Sequence, residues 1–244
     1  YPAQCHWKAR IVRDCFQRIA KADLEPEWIE DSALRFGYRT RAEFHRSDTG
    51  WGFYARESHR VVPIEACPLC HAVINDALRL LQGITKGKSI ELTANPETGE
   101  VLVWLEAPTP EIESVFPLTD VAESSKTPHE FLFEGVPVVN GAFSQSSLLL
   151  NRFLTRVVDE MVAEPASLLD LYCGTGNFSI KYAQHIPVLG VDQNARAIAR
   201  AASLGVGEYR LLCDEKFDLV LQEREWDVVL LDPPRQGAKK VISL

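Results

Sequence analysis

The order of apolar patterns in this 244-residue chain implies two domains, an α+β region over 1–127 and an α/β region with a parallel sheet over 128–244. Three observations carry that expectation. The first half sets an amphipathic stretch beside short aromatic and β-branched runs broken by polar turns, the texture of antiparallel sheet. The second half alternates short apolar runs with helical patterns, at the interval that parallel strands and their crossover helices require. A content of 46% hydrophobic and 25% charged residues is that of a chain able to bury real cores.

Each element follows from its local pattern. Over 4–21, Trp7, Ile11, Cys15, Phe16 and Ile19 recur at helical spacing and paint one face, expected to pack on the second domain, and Pro26 bars any continuation. Strands are expected at 34–39 and 50–54, with a turn at Ser47-Asp48-Thr49-Gly50. A helix over 71–81 precedes a hairpin of 89–93 and 101–105, whose tip Asn95-Pro96-Glu97-Thr98-Gly99 has turn chemistry. The Pro-, Ser- and acid-rich stretch 108–127 reads as a connection. A long helix is expected over 148–162. Strands follow at 166–171, 188–191, 209–212 and 227–231, with helical stretches between them.

Charge and cysteine usage exclude some functions. A net charge of −8 disfavours gripping nucleic acid by bulk positive charge and leaves a local basic face open. No apolar run approaches the roughly 18–20 residues of a membrane helix, and the start has no signal-peptide pattern, so a cytoplasmic protein is expected. The chain opens without an initiator Met and stops after a loop entering a helix, which implies a fragment. Six cysteines without an export signal read as reduced thiols. Only Cys67-Pro68-Leu69-Cys70 has ligand spacing, and a single CxxC leaves structural, metal-binding and redox roles open.

The strongest chemical signal is Leu168-Leu169-Asp170-Leu171-Tyr172-Cys173-Gly174-Thr175-Gly176-Asn177-Phe178, a buried strand, a Gly-x-Gly turn and then a helix. Gly174 and Gly176 let the backbone approach a ligand at the carboxyl edge of a parallel sheet. The third glycine of the dinucleotide fingerprint is absent, which counts against NAD. Asp192 closes the next strand, where a carboxylate can take both ribose hydroxyls, and Cys213-Asp214 closes another. Three such strand ends favour S-adenosylmethionine over the bland alternative of solvated acids. The fourth strand ends in Asp232-Pro233-Pro234-Arg235-Gln236-Gly237, a stiff loop suited to holding a planar base, or else a rigid turn with no ligand. Arg235 stands where methyltransferases of exocyclic nitrogen usually place an aromatic ring. Between Leu34 and Val61, arginines that include Arg35, Arg39, Arg41 and Arg56 interleave with Phe36, Tyr38, Phe44, Trp51, Phe53 and Tyr54. That mixture suits phosphate contact and base stacking, and strand alternation with aromatic residues inward produces the same pattern.

Taken together, Phe143-Ser144-Gln145, the 170–178 segment and Asp232-Pro233-Pro234-Arg235-Gln236-Gly237 resemble the RNA uracil-5-methyltransferase family. So, in order, do Tyr1-Pro2-Ala3-Gln4, Gly37-Tyr38-Arg39-Thr40-Arg41-Ala42, Gly52-Phe53-Tyr54 and Cys67-Pro68-Leu69. The resemblance covers nearly the whole chain. It implies a Rossmann-like class I methyltransferase domain, incomplete at its C-terminal strands, behind an α+β central domain. It implies methylation of uracil carbon 5 in RNA, foremost 23S ribosomal RNA, by a monomer. Gln145, Tyr172, Asn177, Asp192, Asp214 and Asp232 would contact S-adenosylmethionine. Cys67 would be the last of four ligands to a [4Fe-4S] cluster whose other cysteines lie upstream of Tyr1, so no cluster is expected in this chain. Family members follow Phe-x-Gln with Val-Asn where this chain has Ser146-Ser147, and their amino-terminal β-barrel has no counterpart here. The family adds a cysteine thiolate to carbon 6 to make carbon 5 nucleophilic, and a base then removes the carbon-5 proton. That cysteine and base are expected beyond Leu244, Cys173 and Cys213 are read as packing groups, and the chain as given is expected to be inactive. The competing functions are a donor- or RNA-binding remnant and a nucleic-acid N-methyltransferase.

Overall fold

The computed structural model describes residues 1–122, 124, 126–235, 237 and 238. Helix α1 (Pro2–Cys15) continues into one wider turn, Phe16–Ala20, and ends where Lys21 turns left-handed at φ 55°. None of its residues is buried: Trp7 is 55% and Ile19 79% exposed, so the apolar face expected to pack on the second domain stays open. The strand expected at 34–39 forms later. Ser32–Leu34 is a short 3-10 turn capped by Asp31, and β1 runs Arg41–Ser47. Gly37, at φ 64°, bends the chain between them, and a bent segment cannot join a ladder.

β1 pairs with β2 (Gly50–Tyr54) across the expected turn, and β3 (Val61–Pro63) pairs with β2. β4 (Ser89–Ala94), β5 (Val101–Leu105) and β6 (Thr119–Val121) complete a six-stranded sheet of order β3-β2-β1-β4-β5-β6. All its neighbours are antiparallel except β5 and β6. The 108–127 connection is therefore partly ordered: α3 (Pro110–Val115) starts on Pro110, and β6 extends the sheet. Its Pro and acid content hid both elements, because Pro is well tolerated at a helix start and acids favour the first turn. α2 (Ala72–Leu81) buries Ile74, Ala77, Leu78 and Leu81 against Phe44, Trp51, Ile90 and Leu92. The Trp51 indole N–H donates to the Ile84 carbonyl at 3.0 Å, so the largest core side chain is also satisfied as a donor.

The second domain opens with a hairpin that sequence patterning did not show, β7 (Glu130–Phe133) and β8 (Val136–Val139). α4 (Leu148–Val162) follows, capped by the Ser147 hydroxyl, which accepts from the Leu150 N–H at 3.1 Å. β9 (Leu168–Leu171), β10 (Val188–Asp192), β11 (Glu208–Leu211) and β12 (Val228–Leu231) then form the parallel sheet that the strand pattern predicts, in the order β11-β10-β9-β12. α5 (Ala195–Ser203) and α6 (Phe217–Glu223) are two of the expected crossover helices. After β9 no regular helix forms: the turn at Gly174 and Gly176, with φ of 56° and 89°, runs through further turns to a 3-10 segment at Tyr182–Gln184. No helix among the described residues is long and apolar enough to cross a membrane.

The domains interlock where α4 begins. The Thr40 N–H donates to the Ser146 carbonyl at 3.0 Å, and its hydroxyl accepts from the Leu148 N–H at 3.0 Å. Leu102 of β5 shares a core with Phe131, Phe133, Val138 and Leu148. The buried Asn140 amide donates to the Val103 carbonyl at 2.8 Å and to the Asp120 carboxylate at 2.9 Å. The loop 143–147 is thus held from both domains.

Candidate functional site

Strand order places the site. β9 and its neighbours β10 and β12 lie side by side and parallel, so the residues that follow them emerge along one edge, the edge at which open parallel sheets bind ligands. A narrow cleft of about 80 Å³ opens there. Its floor is Tyr172, Cys173, Gly174, Thr175 and Asn177, its walls are Asp192 and Asp232, and its roof is Phe143, Ser144 and Gln145 with Pro137 and Val138 of the hairpin.

The floor is shaped by backbone that L-residues rarely adopt. Tyr172 sits at φ 63°, held by an edge-on contact with the Phe217 ring at 4.9 Å. Gly174 lies at φ 56°, and a Cβ added there would meet nothing within 4 Å, so the space above it is open to a ligand. The Asp192 carboxylate accepts from the Gly174 N–H at 2.9 Å and from the Asn194 N–H at 2.8 Å, tying the glycine turn to the end of β10. Asn177 exchanges two hydrogen bonds with Asn151 of α4, at 2.7 and 3.1 Å, and Thr175 donates to the Pro137 carbonyl at 2.8 Å. Asp232 is open to solvent on one side, and partial burial against the cleft raises its carboxyl above the usual carboxylate range. Gln145, Tyr172, Gly174, Asn177, Asp192 and Asp232 all line this cleft. Gly176, at φ 89°, closes the turn beneath it. Asp214 begins a short turn past β11, and its side chain, like Gln236, lies outside the described residues.

The cysteines separate by environment. Cys173 is buried, packed with Ile198, Ala201 and Tyr209, and burial pushes its thiol far above the ordinary range. Cys213 is exposed, so the packing role expected for it does not hold. Cys67 and Cys70 close a turn through the Cys70 N–H to the Cys67 carbonyl at 3.0 Å, and Asn75 clamps that turn with three hydrogen bonds. Cys70 is buried and its thiol is pushed up to about 12, first by burial and then by Cys67. A four-thiolate cluster does not fit these residues: among the described residues no group of three or more His, Cys, Asp or Glu side chains converges as a metal site.

The four arginines expected to meet RNA have different engagements. Arg35 pairs with Glu30 at 3.2 Å and stacks over Tyr1 at 4.7 Å. Arg39 is half-buried, with its Nε unpartnered. Arg41 pairs with Glu91 at 2.7 Å, donates to the Ser144 carbonyl at 3.1 Å and lies over Phe143 at 5.6 Å, so it braces the cleft roof. Arg56 is exposed beside Glu57. Phe44 and Trp51 point into the core, as strand alternation alone would have it, whereas Phe36, Tyr54 and Phe143 are exposed. Tyr54 stacks on His45 at 3.8 Å and meets His59 edge-on at 5.4 Å.

A set of side chains that motif reading did not single out lies beneath the floor. Asp170, in β9, is fully buried with both carboxylate oxygens unpartnered, and the Ser179 and Tyr209 hydroxyls are unpartnered as well. Burial, and then Asp232 and Asp192, push the Asp170 carboxyl up to about 7, while Ser179 works in the opposite direction. The signal was one acid inside an otherwise apolar strand that ends at a ligand-binding turn.

No protein-family model matches the chain. A 23S rRNA (uracil(1939)-C(5))-methyltransferase of Methylococcus capsulatus is 27% identical over 295 aligned positions, covering 99% of this chain and 65% of the relative. The enzyme of the same name from Ralstonia nicotianae is 28% identical, covering 98% and 64%. The chain therefore spans less than two thirds of the length of these curated relatives. The crystal structure of the Pyrococcus abyssi tRNA (uracil-54, C5)-methyltransferase in complex with S-adenosyl-L-homocysteine matches with a TM-score of 0.73 at 21% identity, over 98% of this chain and 70% of that one, and this shows a common fold. Along nearly its whole length the chain is similar in sequence to these RNA uracil-5-methyltransferases, whose motifs its strand ends resemble, and it shares the fold of the Pyrococcus abyssi enzyme.

Proposed function

We propose that this chain is the donor-binding part of an S-adenosylmethionine-dependent RNA (uracil-C5)-methyltransferase acting on 23S ribosomal RNA. The observation that carries the reading is the cleft at the carboxyl edge of β9, β10 and β12, where Tyr172, Asn177, Asp192, Asp232 and Gln145 converge. The names of the relatives support the substrate class.

Asp192 would accept the ribose hydroxyls, the Gly174 turn would admit the donor to the sheet edge, and Tyr172 with Asp232 would flank it. Bound there, S-adenosylmethionine supplies an electrophilic methyl group on its sulfonium. Arg41 braces the roof over the cleft at Ser144. Exposed Tyr54 and Phe143, with Arg56, offer stacking and phosphate contacts for RNA. None of the described thiols suits the attack on carbon 6: Cys173 lines the cleft as a buried, protonated thiol, and Cys213 does not line it. That observation favours, as a second reading, a chain that binds donor without completing the reaction. An N-methyltransferase is disfavoured because exposed Arg235 replaces the stacking aromatic.

The test combines calorimetry of donor binding with a nucleoside digest of 23S rRNA from cells with and without the complete gene. Donor binding with loss of 5-methyluridine in the deletion is expected. Absence of binding to the folded chain, or loss of N6-methyladenosine instead, would overturn the assignment.

A further inference from the structure

Given a cleft that takes S-adenosylmethionine, the reading on which this inference rests, we infer that the sealed Asp170 carboxyl sets the cleft's preference for the cationic sulfonium donor over its neutral thioether product. The described residues lining the cleft include Asp192 and Asp232 and no Lys, Arg or His. Arg41, which reaches the roof at Ser144, is already neutralised by Glu91. A ligand entering this cleft therefore meets two carboxylates with no protein cation among them, and a third stands behind the wall.

That third group is placed by the strands. Asp170 lies opposite Gly190 of β10 and Leu230 of β12, three residues before Cys173. Tyr209, on β11, also lies opposite Gly190, and Tyr209 and the Cys173 thiol fill the space a Cβ at Gly190 would need, at 2.5 and 2.9 Å. The Tyr209 hydroxyl reaches within 3.2 Å of where a Cβ on Gly176 would sit. Asp170 is thus walled in under the glycine turn. The groups acting on it are Asp192 from β10, Asp232 beyond β12, Ser179 from the turn and, across the same pocket, Tyr209 and Cys173. None is a cation. By hydrogen-bond geometry neither Asp170 oxygen has a partner, and the nearby Ser179 hydroxyl, which favours the ionised form, is outweighed by burial, a costly arrangement for a carboxylate and one that a proton relieves.

The consequence is a proton balance. With the cleft empty, Asp170 holds its proton to about pH 7. A positive ligand charge on the far side of the turn favours the ionised form, so the proton leaves to solvent as the cation binds. Once the methyl group and with it the sulfonium charge are gone, the same carboxylate regains a proton, and the neutral thioether is held less firmly. The α-ammonium and α-carboxylate are shared by donor and product and cancel in the comparison. Asp170 touches neither ligand and acts through the field across the turn.

The experiment is calorimetry on the 244-residue chain with S-adenosylmethionine, S-adenosylhomocysteine and sinefungin, which carries an ammonium in place of the sulfonium. Buffers of different ionisation enthalpy count the protons released. Near pH 7 the donor and sinefungin should each release more protons than the thioether. The ratio of donor to product affinity should rise about tenfold between pH 5.5 and pH 8, equivalent to one pKa unit of coupling. Asp170→Asn should still bind both ligands with a ratio that no longer varies with pH. An equal proton count for donor and product in the wild-type chain overturns the inference, and this readout stands if the variant does not fold. A pH-dependent ratio that survives in Asp170→Asn also overturns it and assigns the effect to Asp192 or Asp232. Failure of all three ligands to bind overturns the donor-binding reading instead.

Discussion

Asp192 carries two tasks at once, since its carboxylate ties the Gly174 and Asn194 amides and faces the cleft. Asp192→Ala should weaken donor binding by about 1–3 kcal/mol through lost charge-assisted hydrogen bonds, measured by calorimetry. Unchanged affinity would remove it from the site. Asp170 makes a stability prediction with a definite sign. Its folded carboxyl is raised to about 7, so its protonated form stabilises the native state below the ordinary carboxylate range, and that contribution is lost as pH rises through 7. Asp170→Asn does not titrate. Its stability relative to wild type should therefore improve by on the order of 3 kcal/mol between mildly acidic buffer and pH 8, read from urea unfolding at each pH. A difference independent of pH would show that Asp170 is ionised in the fold.

Among the elements, β12 and α1 present the most unusual surfaces. β12 pairs with β9 on one side, and among the described residues its other edge pairs with nothing, while Val229 is 44% and Leu231 37% exposed. An open apolar strand edge is a template for another chain. The chain on its own should self-associate and be poorly soluble, and Val229→Lys should raise the monomer fraction in sedimentation velocity without altering donor affinity. A wild-type chain that stays monomeric at high concentration would contradict this. α1 shows why amphipathic spacing is an incomplete signal. Trp7 and Ile11 do share a helix, and the pattern says that a face is apolar without saying what covers it.

At the scale of the whole molecule, the cleft at the edge of the parallel sheet is roofed by a loop that the antiparallel sheet holds. Thr40 fastens Ser146 and the start of α4, while Arg41 fastens Ser144, so the antiparallel sheet holds the roof over the parallel one. What the assembled molecule lacks among its described residues is an accessible thiolate at the cleft, because Cys173 is buried and protonated. Incubated with RNA containing 5-fluorouridine, the 244-residue chain should form no covalent adduct by denaturing electrophoresis. A stable adduct that disappears in Cys173→Ala would make Cys173 the nucleophile.

Most of the second domain was legible in the linear pattern. β9, β10 and β12 are short apolar runs, β11 carries Tyr209 between polar neighbours, and Tyr172, Asp192 and Asp232 sit at or just beyond strand ends, so local spacing predicts the parallel sheet and the edge at which the cleft opens. The Gly-x-Gly turn was legible for the same reason, since backbone conformation there depends on the residue itself. Three features waited on the tertiary structure. β6 has only three residues, and the β7–β8 hairpin lies next to the Pro- and acid-rich connection with Pro137 inside β8, so neither stands out as strand. The engagement of Arg41 with Glu91 and Ser144 spans 50 and 103 residues, and no local pattern encodes such a contact. The third is the state of Asp170: the sequence shows an acid in an apolar strand, and only the packing of Tyr209, Ser179 and Cys173 around it excludes water and leaves its oxygens unpartnered, which is what raises its carboxyl.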